Sequence, residues 1–216
     1  MYYDIHTHTT KPQEQSRSCI NVACENYGCA SIPDAFKFSI GLHPWHIQLD
    51  QLAANLALIR ENVNLPDCIA VGECGLDKKC STSFEWQEKA FVEQIKISEE
   101  IKKPLIIHCV KATDEVLYYK KTTKPTQAWI IHGFRGKPEQ MESFVKKGIY
   151  LSFGAEYNKT TLLQTDPNFF FLETDNSSLS IQDVYQQVAF DLKTPERELI
   201  KCIEENISKV FYSLKK

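Results

Sequence analysis

Hydrophobic residues along this chain form short uninterrupted runs that alternate with longer segments in which they recur every three or four positions. A short apolar run is typical of a buried strand, whereas recurrence at helical spacing indicates the buried face of a helix. Alternation of the two patterns predicts repeated βα units around a parallel sheet. Eight strands are predicted, over residues 2–6, 19–23, 36–42, 68–72, 104–108, 128–132, 149–153 and 169–174.

The helical segments lie between and after these strands. Leu52, Leu56, Ile59 and Val63 form one apolar stripe, and further helices are predicted over residues 83–103, 138–147, 181–192 and 195–210. Ser180 stands three residues before Asp183, which resembles a capping box. We therefore predict an α/β fold: a small, irregular TIM-like (β/α)8 barrel, with residues 1–216 as a single domain. The irregularity is expected at residues 24–35, a segment too short and broken for a full helix.

Composition narrows the class of protein. Hydrophobic residues make up 43% and charged residues 25% of the chain, which is the balance of a soluble globular protein. No apolar run reaches the ~18 residues of a membrane span, and no secretory signal is recognisable, so we expect a cytoplasmic protein without a membrane or an obligate protein partner. The net charge of -3 argues against a broad nucleic-acid-binding surface but is compatible with a local basic cleft.

The cysteines do not indicate a zinc site or a disulfide framework. None of the eight forms a Cys-x-x-Cys pair, and most lie within or beside apolar runs, where a free thiol packs as a small hydrophobe. Reduced thiols are the expected state.

Histidines and carboxylates collect at the ends of the predicted strands. His6, His8, His108 and His132 follow apolar runs, and Glu73 and Asp175 occupy equivalent places. In a parallel barrel these ends converge on one mouth, where catalytic groups gather. A packed core histidine is the alternative for His108 or His132, a solvated loop acid for Glu73 and a turn cap for Asp175. The shared placement of all six side chains favours a metal site.

This ligand set exceeds what one tetrahedral ion requires, which favours two ions that share a carboxylate. Two cations ~3.5 to 4 Å apart can clamp an in-line displacement at phosphorus. Glu73 is the bridging candidate because it lies midway in the order of strands. Asp175 is the candidate that both binds an ion and accepts a proton from the attacking water.

Six short segments, in order along nearly the whole chain, contain these residues: Asp4-Ile-His-Thr-His8, Gly41-Leu-His-Pro-Trp-His46, Gly72-Glu-Cys-Gly-Leu-Asp77, Pro104-Leu-Ile-Ile-His108, His132-Gly-Phe-Arg-Gly136 and Glu173-Thr-Asp175. Together they resemble the motifs of the TatD family of metal-dependent hydrolases. Residues 205–211 also resemble the family's C-terminal signature.

The resemblance implies an activity and a set of site residues. It implies a 3′ to 5′ deoxyribonuclease or related phosphodiesterase that uses two divalent ions (zinc, manganese or magnesium) on a DNA end or a small phosphodiester. One ion would be bound by His6, His8, Glu73 and Asp175, and the other by Glu73, His108 and His132. His43 matches a residue that lines the cleft, although a turn hydrogen bond beside Pro44 is the alternative. Asp77 is expected to orient a metal-bound imidazole.

Three departures from the family pattern leave the substrate open. Lys111 stands near the place of the family's arginine, and Arg135 replaces a more usual serine. Either cation could bind substrate phosphate or be an ordinary solvated charge. Asn176-Ser-Ser-Leu-Ser180 replaces a longer loop after Asp175. A metal-dependent amidohydrolase or esterase acting on a small molecule, and a non-catalytic metal-binding barrel, are therefore the alternative functions.

Overall fold

The protein forms a sheet of eight parallel strands whose order in space follows their order in the chain, as far as the described residues show. The structure, a computed structural model, describes residues 1–11, 13–23 and 37–212. The predicted irregularity at residues 24–35 lies outside these ranges. The strands are β1 (Tyr2–Thr7), β2 (Ser16–Ala23), β3 (Lys37–Gly41), β4 (Cys68–Asp77), β5 (Leu105–Val110), β6 (Trp129–Ile131), β7 (Ile149–Phe153) and β8 (Phe170–Leu172).

Helices connect most consecutive strands, as a (β/α)8 barrel requires. The connection after β3 includes a short 3-10 helix, Pro44–His46, and another, Pro167–Phe169, precedes β8. The described helices are α1 (Leu52–Asn62), α2 (Phe84–Ile101), α3 (Thr113–Thr123), α4 (Pro138–Val145), α5 (Lys159–Gln164), α6 (Ile181–Leu192) and α7 (Glu196–Phe211).

The first and last strands close the sheet into a barrel. Thr7 and Asp175 form a parallel bridge, in which the Asp175 amide donates to the His6 carbonyl oxygen at 2.9 Å and the His8 amide to the Asp175 carbonyl oxygen at 3.2 Å. Below this bridge, the Asp4 carboxylate accepts from the Thr174 amide at 3.0 Å and from its hydroxyl at 2.7 Å. The predicted TIM-like barrel is confirmed, and a side chain supplies part of its closing seam.

Strand β4 is longer than predicted. The sequence predicts its end at Gly72, whereas the strand continues to Asp77. Gly75 pairs with His108 of β5 at a φ of +136°, and a Cβ atom there would lie 2.1 Å from the His108 carbonyl oxygen. Glycine therefore permits the close approach of two strands here instead of a turn. As a consequence, Glu73 lies within β4 and not at its end.

The helices pack their apolar stripes against the outer surface of the barrel. Helix α6 begins with the predicted capping box, in which the Ser180 hydroxyl accepts from the Asp183 amide. In α7, the predicted periodic residues Leu199, Ile203 and Asn206 are buried, whereas the fourth, Val210, is half-buried. Cys19, Cys68 and Cys74 are buried, and none of them forms a disulfide with another described residue. Among the described residues, none of the helices combines the length and hydropathy needed to cross a bilayer.

Candidate metal centre

All six side chains that the sequence predicts as ligands meet at the barrel mouth, which is formed by the carboxyl-terminal halves of the strands and the residues after them. A cavity of about 430 Å³ opens there, and its wall includes His8, Glu73, His108, His132 and Asp175. His6 is fully buried beneath this wall. The convergence follows from the parallel topology, which directs the end of every strand to the same mouth.

Glu73 is at the centre of the cluster. Its Oε1 lies 2.7 Å from His132 Nε2, 3.0 Å from His108 Nδ1 and 3.0 Å from His43 Nε2. Its Oε2 lies 3.3 Å from His6 Nε2. One carboxylate therefore contacts imidazoles from four different segments of the chain, which is the arrangement a bridging ligand requires.

Asp175 completes the other side of the cluster. Its Oδ1 lies 3.4 Å from His8 Nε2 and 3.8 Å from His6 Nε2. The residue has a φ of +51°, in the left-handed region that aspartate tolerates better than most residues. The two backbone hydrogen bonds to β1 hold it there, so the seam of the barrel also fixes the position of this carboxylate.

The ligand atoms are close enough to hold cations. Three groups each bring their atoms within 4.8 Å of one another: His6 with Glu73 and His132, His6 with His8 and Asp175, and His43 with Glu73 and His108. Within the part of the chain that the structure describes, neither ring nitrogen of the buried His6 has a hydrogen-bond partner. A buried polar atom without a partner is costly, and a cation at His6 Nε2 would satisfy one of the two. The residues present therefore fit a metal centre.

The electrostatics favour charged carboxylates at this site. Burial raises the pKa of Glu73, but the His132 charge and the hydrogen bonds from His108, His132 and His43 outweigh it and hold that pKa well below its usual value. Burial likewise raises the pKa of Asp175, and the His8 hydrogen bond with the nearby imidazole charges lowers it overall. Both side chains are thus anionic at neutral pH.

Carboxylates behind the imidazoles fix their orientation. Asp77, expected from the sequence to do this, has Oδ2 at 3.2 Å from His108 Nε2. Glu173, which the sequence reading did not single out for a role, is fully buried. Its Oε1 lies 3.4 Å from His132 Nδ1 and accepts from the Gly133 amide at 2.7 Å. The sequence signal for Glu173 was its place two residues before Asp175, because side chains two residues apart in an extended chain point to the same side.

Asn21 is a second residue that the sequence reading missed. Its side chain donates to Glu73 Oε2 at 3.1 Å and accepts from the Glu73 amide at 2.9 Å, so it clamps both the backbone and the carboxylate of the central residue. The sequence signal for Asn21 was a polar residue within the apolar run of residues 19–23.

His43 lies in the cluster and also makes the turn hydrogen bond considered as its alternative role. Its Nδ1 accepts from the Trp45 amide at 3.1 Å, and its Nε2 faces Glu73. Since Nδ1 accepts, the hydrogen-bond network assigns the proton of a neutral His43 to Nε2. His43 is thus arranged as a hydrogen-bond donor into the site.

The two predicted substrate cations lie beside the centre and do not touch it. Lys111 and Arg135 line a neighbouring groove of about 540 Å³ that also reaches His108, His132 and Asp175. Both side chains are exposed, and Arg135 forms an ion pair with Glu156.

Comparison with protein families gives one match over most of the chain. The family model described as "TatD related DNase" matches residues 19–212. The curated "3'-5' ssDNA/RNA exonuclease TatD" of Escherichia fergusonii is 35% identical over 114 residues, which are 51% of this chain and 43% of that protein. An "Uncharacterized metal-dependent hydrolase" of Haemophilus influenzae is 26% identical over 166 residues, 70% of this chain and 63% of that protein. The alignments thus span between two fifths and two thirds of these relatives' lengths.

Solved structures share the fold. A TatD homologue from Escherichia coli K12 superposes with a TM-score of 0.83 at 20% identity, over 97% of both chains. A TatD family hydrolase from Entamoeba histolytica gives a TM-score of 0.76 at 16% identity, over 98% of both chains. At these identities the likeness concerns the barrel alone.

Proposed function

Because the chain belongs to the family of TatD related DNases, whose model matches residues 19–212, we propose that it is a divalent-metal-dependent phosphodiesterase. Its proposed substrates are single-stranded nucleic-acid ends or short nucleotides. The observation that carries this proposal is the convergence of four imidazoles and two carboxylates on the barrel mouth.

The ligands divide into two sets that share Glu73. His6, His8, Glu73 and Asp175 would hold one ion, and Glu73, His108 and His132 the other. Of the three ligand groups within 4.8 Å, that of His6, His8 and Asp175 falls inside the first set. The group of His6, Glu73 and His132 joins the two sets, and the third places His43 beside Glu73 and His108. A mixed imidazole and carboxylate set suits zinc and manganese, and carboxylates also suit magnesium. When bound, such ions supply Lewis-acid charge that stabilises the phosphoryl transition state.

Asp175 is proposed as the general base. A water molecule attacks phosphorus and its proton passes to the Asp175 carboxylate. The bond from phosphorus to the sugar oxygen breaks, and that oxygen leaves as a hydroxyl with a proton taken from solvent water. Asp175 is about a quarter exposed at the cavity wall, so its carboxylate is accessible to water, while Glu73 is almost completely buried. This difference favours Asp175 over Glu73 as the proton acceptor.

His43 and the two rim cations are proposed to bind the phosphate groups. The Nε2–H of His43 would donate to a phosphoryl oxygen at the cluster. Lys111 and Arg135 would attract the adjoining phosphates into the neighbouring groove, which is consistent with the net charge of -3 only if binding depends on a few local cations.

The test is turnover of single-stranded DNA. Wild-type protein with manganese is expected to release mononucleotides from a DNA oligonucleotide. Asp175→Asn is expected to lower turnover by orders of magnitude while some ion binding is retained. Glu142→Gln, which changes an exposed carboxylate paired with Lys146 on α4, is the matched control and should keep full activity.

A substrate panel separates the alternative functions. Hydrolysis of amide or ester substrates, with phosphodiesters untouched, would replace this proposal by a small-molecule hydrolase. Bound metal without turnover on any substrate would favour a non-catalytic barrel, and full turnover by Asp175→Asn would exclude Asp175 as the base.

A further inference from the structure

Trp45 has an unusual position for a large aromatic residue. It lies in the 3-10 helix Pro44–His46 that follows β3, and 58% of its surface is accessible to solvent. It also belongs to the wall of the cavity that contains the candidate metal centre. An exposed tryptophan at a cavity rim is a candidate for ligand binding, since its apolar area is not used in the core.

The indole is held in place although it is exposed. Its Nε1–H donates to Asp77 Oδ2 at 2.7 Å, and Asp77 is itself buried. The indole meets the His43 ring at a centroid distance of 4.8 Å and an interplanar angle of 83°, and the His108 ring at 5.7 Å and 77°. A side chain fixed in this way loses little conformational entropy when a ligand stacks on it.

The position of the indole relative to Glu73 indicates the chemistry of the ligand. One imidazole, that of His43, separates Trp45 from the Glu73 carboxylate, because His43 Nε2 lies 3.0 Å from Glu73 Oε1. Ile20 and Val22 add apolar surface to the same cavity. The cavity thus combines an apolar aromatic wall with an ion-binding end. A nucleotide has the matching arrangement, since its planar base is joined through one sugar to its phosphate.

We propose that Trp45 is the stacking platform for the base of the nucleotide whose phosphate lies at the metal centre. This inference rests on the proposed function, since it assumes a nucleotide substrate. Stacking on an aromatic ring tolerates any base, because every base presents a π-face. It also requires a base that is free of its neighbours in a duplex. Trp45 therefore makes the site selective for an unpaired, base-bearing end without selecting a sequence.

A positioning role is the competing explanation for Trp45. Its N–H bonds to Asp77, which in turn contacts His108, so the indole could act on the metal centre through Asp77. Two substitutions separate these roles. Trp45→Phe keeps an aromatic face and removes the N–H donor, whereas Trp45→Ala removes both. Trp86→Phe, a substitution of a half-buried tryptophan on α2, is the matched control.

The experiment compares ligands with and without a base. In calorimetric titrations of the manganese-loaded protein, Trp45→Ala is expected to weaken binding of deoxyadenosine monophosphate by about 5- to 100-fold. Binding of deoxyribose 5-phosphate should change less than threefold, and Trp45→Phe should stay near wild type with both ligands. For cleavage, Trp45→Ala should raise KM on a normal oligonucleotide much more than on one with an abasic end.

Two results would overturn the inference. Equal loss of affinity for both ligands in Trp45→Ala and Trp45→Phe would assign the indole a positioning role through Asp77. Unchanged affinity for the mononucleotide in Trp45→Ala would exclude stacking. Failure of the proposed function has a different signature, because wild type would then cleave no phosphodiester whatever the two binding titrations give.

Discussion

Replacement of the central carboxylate, Glu73→Gln, perturbs the candidate metal centre most directly. The amide keeps the shape of the side chain and removes its charge. Four imidazole nitrogens lie within 3.3 Å of the two carboxylate oxygens, and only 6% of the residue is exposed. The substitution therefore removes the negative charge that the imidazoles share. The NH2 group of the new glutamine would face imidazole nitrogens that need a hydrogen-bond acceptor or a metal ion.

The expected effect is large. Removal of one partner from a buried charge pair costs about 3 to 5 kcal/mol. At about 1.4 kcal/mol per tenfold, this corresponds to a loss of manganese affinity of roughly 10²- to 4 × 10³-fold. The measurement is calorimetric titration of metal-stripped protein with manganese, with Glu142→Gln as the control for a lost surface carboxylate. Affinity of Glu73→Gln within threefold of wild type would refute the bridging role.

Three further predictions concern the surroundings of the site. Asp4→Ala leaves the buried Thr174 amide without its acceptor, while the Thr174 hydroxyl keeps Thr7 as a partner. The free energy of unfolding measured in urea should therefore fall by about 1 to 3 kcal/mol, and a fall below about 0.5 kcal/mol would contradict the role of Asp4 in the seam. Glu173→Gln should lower manganese affinity about 10- to 100-fold, because it removes the negative charge next to His132 Nδ1. Unchanged affinity in the same titration would show that this contact does not contribute to metal binding. Removal of bound metal with a chelator should lower the melting temperature, and manganese added back at 100 times its Kd should restore about 2.7 kcal/mol of folding stability. A thermal unfolding scan without a shift would mean that no ion binds the folded state selectively.

The convergence of the ligands could be predicted from the sequence because it depends on topology. Once alternating strand and helix patterns predict a parallel barrel, the residue after each apolar run must lie at one mouth. The positions of His6, His108 and His132 at the mouth could therefore be predicted without any knowledge of side-chain geometry. The ligand roles stay predictions until an ion is observed.

Side-chain contacts beyond this rule could not be predicted. Trp45 reads as an ordinary aromatic beside a proline, and its bond to Asp77 joins residues 32 positions apart. Glu173 and Asn21 each have a local signal, but their partners His132 and Glu73 lie 41 and 52 positions away along the chain, which no local pattern encodes. Helix α3 was missed because Val116 is its one fully buried residue, so it has no apolar stripe to detect. Strand β4 was ended too early because a glycine that permits close strand packing has the same sequence signal as one in a turn.

The central claim is that side chains from distant parts of the chain bind two cations at the barrel mouth. Anomalous scattering from crystals grown with manganese tests it directly. Two peaks are expected, one in contact with His6, His8, Glu73 and Asp175 and the other with Glu73, His108 and His132. Manganese bound elsewhere, or no peak among these six residues at saturating concentration, would contradict the account.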